Sequence, residues 1–217
     1  NAVNGRLADA VNFSLTGGDM PTGRLSLQPE GRGWAGTLNL SPYSAPGGSI
    51  AIPTLAFRGG ANGGWRFSGQ ALLTGPLLGG TITDLRFPID GSFRDGNLAM
   101  NSSCTDLRYS GLATGALRLP AGAVRACPQR GTILRITNGQ TSFALTIPSL
   151  AVAGRLGSSP LKARGNSISF DLERGFGAND VAVDLGDSDA LSKFTVARLN
   201  GRLGDQGVFG TISGGAG

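Results

Sequence analysis

The chain has 217 residues and no histidine. Without histidine, the Ser-His and Cys-His nucleophile schemes lose their usual general base. Only Cys104 and Cys127 are present, too few thiols for a structural zinc site when no imidazole can join them. Lysine is nearly missing: Lys162 and Lys193 are the only two among 19 basic residues, which leaves 17 arginines. Aromatics make up 6% of the chain, so its apolar surfaces are mainly aliphatic. No apolar run approaches the ~18 residues of a membrane-spanning helix, and no secretory leader pattern is seen.

What is there is glycine and alternation. The 37 glycines exceed twice the usual share of about 7%. No collagen-like period runs through them, and at this density they disfavour helices. Ile168, Phe170 and Leu172 alternate with polar residues, as do Val181, Val183 and Leu185, Phe143, Leu145 and Ile147, and Val11, Phe13 and Leu15. Successive strand residues point to opposite faces, so each run is a ribbon with one apolar side. Strands are expected near 5–15, 22–28, 33–40, 49–58, 64–73, 79–87, 91–101, 104–110, 112–119, 122–127, 132–137, 141–153, 165–173, 178–185, 193–203 and 207–213.

Turn chemistry separates the runs at Thr16-Gly17-Gly18-Asp19, Ala45-Pro46-Gly47-Gly48, Asp95-Gly96 and Asn138-Gly139. The Asp-Gly and Asn-Gly pairs signal two-residue hairpins, and hence antiparallel pairing. Pro53, Pro88 and Pro148 fall where an edge or a bulge is expected. The one stretch with helical spacing, Asp187 to Leu199, has a β-prone centre at Phe194-Thr195-Val196 and is read as strand. Gly-Arg-Leu recurs at 5–7, 23–25, 154–156 and 201–203, each time at a strand start. The best seam in the chain is near Asp95-Gly96, dividing a Gly-rich segment, 1–95, from a cysteine-bearing segment, 96–217.

The net charge is +5, but the arginines are spread singly along the chain, from Arg6, Arg24 and Arg32 onward. A nucleic-acid binder would gather them on one element, so no nucleic acid is expected; solvated strand faces come first, and an anionic lipid headgroup second. In a secreted β protein Cys104 and Cys127 read most simply as one disulfide, worth roughly 3 kcal/mol, with two buried thiols as the alternative. Asp180, Asp184, Asp187 and Asp189 form the densest acidic group. A hydrolase, sugar-binding or calcium role there is weighed against a solvated strand face, and the solvated face is preferred. The Gly-rich loop at 59–64 lacks the Gly-Lys-Ser/Thr ending of a phosphate cradle, and Trp65 after it reads as a strand-start core residue. No catalytic residue, cofactor or metal site is expected.

The second half carries Cys104, Leu117-Arg118-Leu119, Cys127-Pro128 and the amphipathic run 141–153. Gly154-Arg155-Leu156-Gly157-Ser158-Ser159-Pro160-Leu161, Asn179 to Gly186 and Leu191 to Leu203 follow. This series resembles the YdbH-like members of the AsmA-like superfamily, relatives of TamB. The resemblance covers just over half of the chain; the first half shares the β texture only. It implies a long antiparallel sheet curled into an elongated open groove, located in the periplasm and anchored in the inner membrane. It implies passage of phospholipid between the inner and outer membranes, with no chemical step.

The expected fold is therefore all-β with little or no helix. The expected groove lining is Val11, Phe13, Leu15, Phe143, Leu145, Ile147, Ile168, Phe170, Leu172, Val181, Val183 and Leu185, with phospholipid acyl chains as the partner. The chain starts at Asn1 rather than Met and ends within the alternating pattern, so it is expected to be a segment of something longer that carries the anchor. The competing expectation is a structural or adhesive β-solenoid or β-sandwich module of a bacterial surface protein.

Overall fold

The computed structural model describes residues 2–3, 6–7, 10–16, 21–60, 62–77, 79–204 and 207–216, with side chains for 10–202 and 209–216 within those limits. A two-stranded hairpin, β1 (Ala2–Val3) and β2 (Arg6–Leu7), precedes one antiparallel sheet of 17 strands. The sheet begins as a meander: β3 (Val11–Leu15), β4 (Gly23–Glu30), β5 (Gly33–Ala45), β6 (Gly48–Gly59), β7 (Trp65–Leu77) and β8 (Gly80–Arg94). Six short strands follow: β9 (Asn97–Met100), β10 (Thr105–Tyr109), β11 (Gly111–Thr114), β12 (Leu117–Leu119), β13 (Gly122–Pro128) and β14 (Leu134–Thr137). A second meander completes it: β15 (Gln140–Leu156), β16 (Ser159–Asp171), β17 (Gly175–Leu185), β18 (Ser192–Gly204) and β19 (Gly207–Ala216).

The short strands form a central panel. Along the edge of β8 lie β9, β10 and β11, end to end. Each pairs on its far side with β14, β13 or β12, and those three lie along β15. Cys104 and Cys127 are joined by a disulfide in this panel, beside the β10–β13 pair Thr105 and Ala126. The expected seam at Asp95-Gly96 is the hairpin turn between β8 and β9, and one sheet continues through it. Asp95 and Gly96 have φ of 49° and 75°, and Asn138 and Gly139 have 51° and 76°. Positive φ at both central residues is what the two-residue hairpin turn requires.

Several local readings change. The runs 79–87 and 91–101 are not two strands split at Pro88: β8 passes straight through it and turns only at Asp95. Pro88 fits because no strand backbone pairs with it on its outer side, between the ends of β9 and β10. There Asn101 substitutes for a strand, donating its Nδ2–H to Pro88 O and accepting from the Asp90 N–H. The run 112–119 is a hairpin, β11 and β12. The stretch 187–199 holds one 3-10 turn, Ser188–Ala190, and then strand. Beyond Thr16, the turn expected at 16–19 lies outside the described residues.

Among the described residues no second layer packs on the sheet. The accessible surface is 13788 Å², against roughly 9,300 Å² for a compact chain of this mass. The buried apolar residues described are five alanines and three isoleucines, and no large side chain is fully buried. The described strands pair antiparallel throughout the sheet. Stability therefore rests on the hydrogen-bonded ladders and on cross-strand side-chain pairs rather than on a closed core.

Candidate functional site: an uncovered apolar sheet face

Directly paired residues on neighbouring strands share a face, so the registers show how the apolar side chains line up. One row crosses nine strands: Val11, Leu27, Gly36, Phe57, Phe67, Gly91, Met100, Leu134 and Phe143. A second runs Phe13, Leu25, Leu38, Leu55, Gly69 and Ile89. In the second meander Leu145, Phe170, Phe176 and Gly201 form a row, with Ile147 and Ile168 beside it. Val152, Ala163, Val183 and Phe194 form another.

Strict alternation would place Ile168 and Val181 on opposite faces from each other. Backbone irregularities prevent this. Ser167 and Asp180 adopt positive φ, 48° and 50°, at register shifts between β16 and β17. A Cβ added at Gly165 would lie 3.6 Å from both Ile168 Cδ1 and Val181 Cγ2. Both side chains therefore stand on the same side of the sheet. Asp84, with φ 48°, does the same in β8, where its N–H donates to Thr74 Oγ1 at 2.9 Å and Ser110 Oγ donates to its carboxylate at 3.1 Å. Asp and Ser suit these left-handed positions because a short polar side chain can bond locally.

Glycine has a packing role on this face. A Cβ at Gly36 would come within 2.6 Å of the Phe57 ring, and one at Gly91 within 2.6 Å of the Phe67 ring. Each ring lies down over the glycine opposite it. Trp65 covers Gly59, and Phe176 covers Gly201, in the same way. The aromatic bulk is spread flat, and the face is kept low.

None of the twelve expected lining residues is buried. Phe13, Leu15 and Leu172 are exposed, at 55%, 49% and 59%, and the other nine are half-buried. Residues that the sequence reading left out, such as Leu25, Leu38, Phe57, Phe67 and Phe176, extend the same face. Their signal was the pairing register, which a single sequence does not display. A depression of about 650 Å³ is lined mainly from the opposite face, by Asn12, Ser26, Thr37, Ala56, Ser68 and Asp90, with Gly36 and Phe57 of the first row also bordering it. The apolar rows form an open surface rather than a lipid-sized cavity.

The acidic group does not assemble into a site. Asp184 is paired with Lys162 on one side and Lys193 on the other, a charge ladder across three strands. Asp180 occupies the β17 irregularity, Asp187 precedes the exposed 3-10 turn and Asp189 lies within it. No cluster of three or more potential metal ligands occurs among the described residues. Among the described residues the one buried carboxylate is Asp171, at the end of β16. Its Oδ1 accepts the N–H groups of Glu173 and Arg174 at 2.9 and 3.0 Å, and its Oδ2 is 3.1 Å from Arg130. The Glu173 N–H, above all, holds its pKa below the ordinary carboxylate value, against a contrary push from burial; Arg174 and Arg130 add to the lowering. Burial raises the Tyr109 phenol.

Comparison of the chain with family models, with curated proteins and with solved structures gives no match. The fold itself defines the class: an all-β protein of one antiparallel sheet, disulfide-bonded, with one face apolar and uncovered. A disulfide is consistent with an oxidising compartment outside the cytoplasm. No helix among the described residues is long and apolar enough to cross a membrane.

Proposed function

We propose that this chain is a segment of a bridge-like periplasmic protein, anchored in the inner membrane through a region outside it. The apolar sheet face is the wall of a groove that holds phospholipid acyl chains and passes lipid between the inner and outer membranes. The observation that carries this reading is a continuous apolar face across both meanders that no protein layer covers. Exposed apolar patches of this extent mark sites that bind something apolar. Each methylene fully buried there is worth about 0.8 kcal/mol. The rows mix aliphatic side chains with phenylalanines, several of them laid over glycines, and the disulfide and the resemblance to the AsmA-like proteins support the same reading.

The test is lipid contact by face. A photo-reactive residue at Leu38 should cross-link phospholipid during expression in a Gram-negative host, and one at Thr37, a single position away on the opposite face, should not. Equal labelling at the two positions, or none at either with no phospholipid in a solvent extract of the purified protein, refutes the reading.

A further inference from the structure

Arginines that are scattered in the sequence converge where three hairpin turns meet at one end of the first meander. Arg58 and Arg66 are directly opposed across β6 and β7. Arg94 ends β8, and its guanidinium lies across the β6–β7 turn, 3.0 Å from where a Cβ on Gly64 would stand. Arg32 occupies the turn between β4 and β5. All four line one depression of about 550 Å³, together with Asn62 and glycines of the β6–β7 turn.

Like charges directly opposed across a ladder are destabilising, and here little offsets them. Glu30 is 3.1 Å from Arg58, with both side chains well exposed. Asp95, also exposed, is the other carboxylate in these turns. Among the described residues no ion pair engages Arg32, Arg66 or Arg94. Guanidinium forks match the oxygens of a phosphate two at a time, and glycine lets an anion approach the turn closely. Trp65 and Phe93 belong to the other face, one position along each strand, so no stacking platform for nucleic-acid bases stands beside the arginines.

We infer that this hairpin end binds a phosphate group, as a phosphomonoester or phosphodiester anion, in the depression walled by Arg32, Arg58, Arg66 and Arg94. The site does not depend on lipid occupying the apolar face. Two sources offer the same chemistry, a free phosphate and a lipid headgroup, and two probes separate them. The full chain is titrated with inorganic phosphate by calorimetry, and is floated with vesicles of phosphatidylglycerol in phosphatidylcholine. The R58Q/R66Q pair should lose at least tenfold in affinity for one probe or both. The charge-matched pair R164Q/R198Q, in the second meander, should stay within twofold of the unaltered chain. A loss seen with inorganic phosphate assigns a free phosphate; a loss seen with vesicles alone assigns a headgroup. Equal behaviour of the two pairs, or no binding of either probe by the unaltered chain, overturns the inference. Far-UV circular dichroism confirms that each variant retains its strands.

Discussion

The two meanders build the same apolar face by different means. From β3 to β8 the face alternates flattened aromatic rings with glycines, as in Gly36 under Phe57 and Gly91 under Phe67. From β15 to β19 it mixes aliphatic side chains such as Val152, Val183 and Ile168 with aromatics: Phe143 and Phe170 meet edge-on, 5.8 Å between centroids, and Phe176 lies over Gly201 as in the first meander. The first meander leans on the absence of a Cβ at Gly36 and Gly91, while both meanders carry left-handed irregularities, Asp84 in β8 and Ser167 and Asp180 in β16 and β17. The two meanders should respond differently to added volume.

The panel between the meanders gives the largest expected effect. Removing the disulfide as C104S/C127S should cost about 3 kcal/mol in a urea titration read by circular dichroism. It should also split the unfolding transition if the meanders are coupled through the panel. An unchanged midpoint would show that the ladders alone hold the panel. Next comes added volume: Gly36→Val should cost about 1–3 kcal/mol by overpacking, because the new methyls meet the Phe57 ring and the Ser26 carbonyl. Ala163→Val, between Val152 and Val183, should cost well under half of that. Equal losses in thermal melts would erase the distinction drawn between the meanders.

Asp171 supplies a smaller, pH-dependent effect. Its pKa is lowered in the folded chain, so it contributes stability above the ordinary carboxylate value near 3.9. That contribution is lost as pH falls through the lowered folded value. Asp171→Asn should therefore destabilise at pH 7 and converge with the unaltered chain towards pH 2, as denaturation midpoints across that range would show. A gap that is constant with pH would assign the effect to hydrogen bonding alone. Smallest is the Lys162–Asp184–Lys193 ladder: Asp184→Asn should cost about 0.5 kcal/mol or less, and less still in 1 M salt.

Much of this sheet was legible in the sequence because its signals are local. Alternation at Phe143 to Ile147 and at Val181 to Leu185 fixed strands, and Asp95-Gly96 and Asn138-Gly139 fixed hairpins. The β-prone Phe194-Thr195-Val196 outweighed the helical spacing around it. What escaped depends on partners distant in the chain. Nothing near Met100 announces Leu134, so the end-to-end panel was hidden. Arg58 and Arg66 look solitary until the β6–β7 register sets them face to face. Trp65 reads as a core residue by size, but with no second layer it lies half-buried across Gly59. The left-handed Ser167 and Asp180 look like ordinary polar members of their runs, because φ leaves little trace in residue type beyond a preference for Asp, Asn and Ser.

Those left-handed residues also set how the gene can change length. Ser167 absorbs one residue of β16, so deleting it would return the strand to plain alternation with Gly165 and Ile168 still on one side. Deleting a regularly alternating neighbour such as Ser169 would instead turn Phe170 and every later residue of the strand towards the wet side. Single-codon losses should therefore survive at the left-handed positions or at the turns, and rarely within the alternating runs.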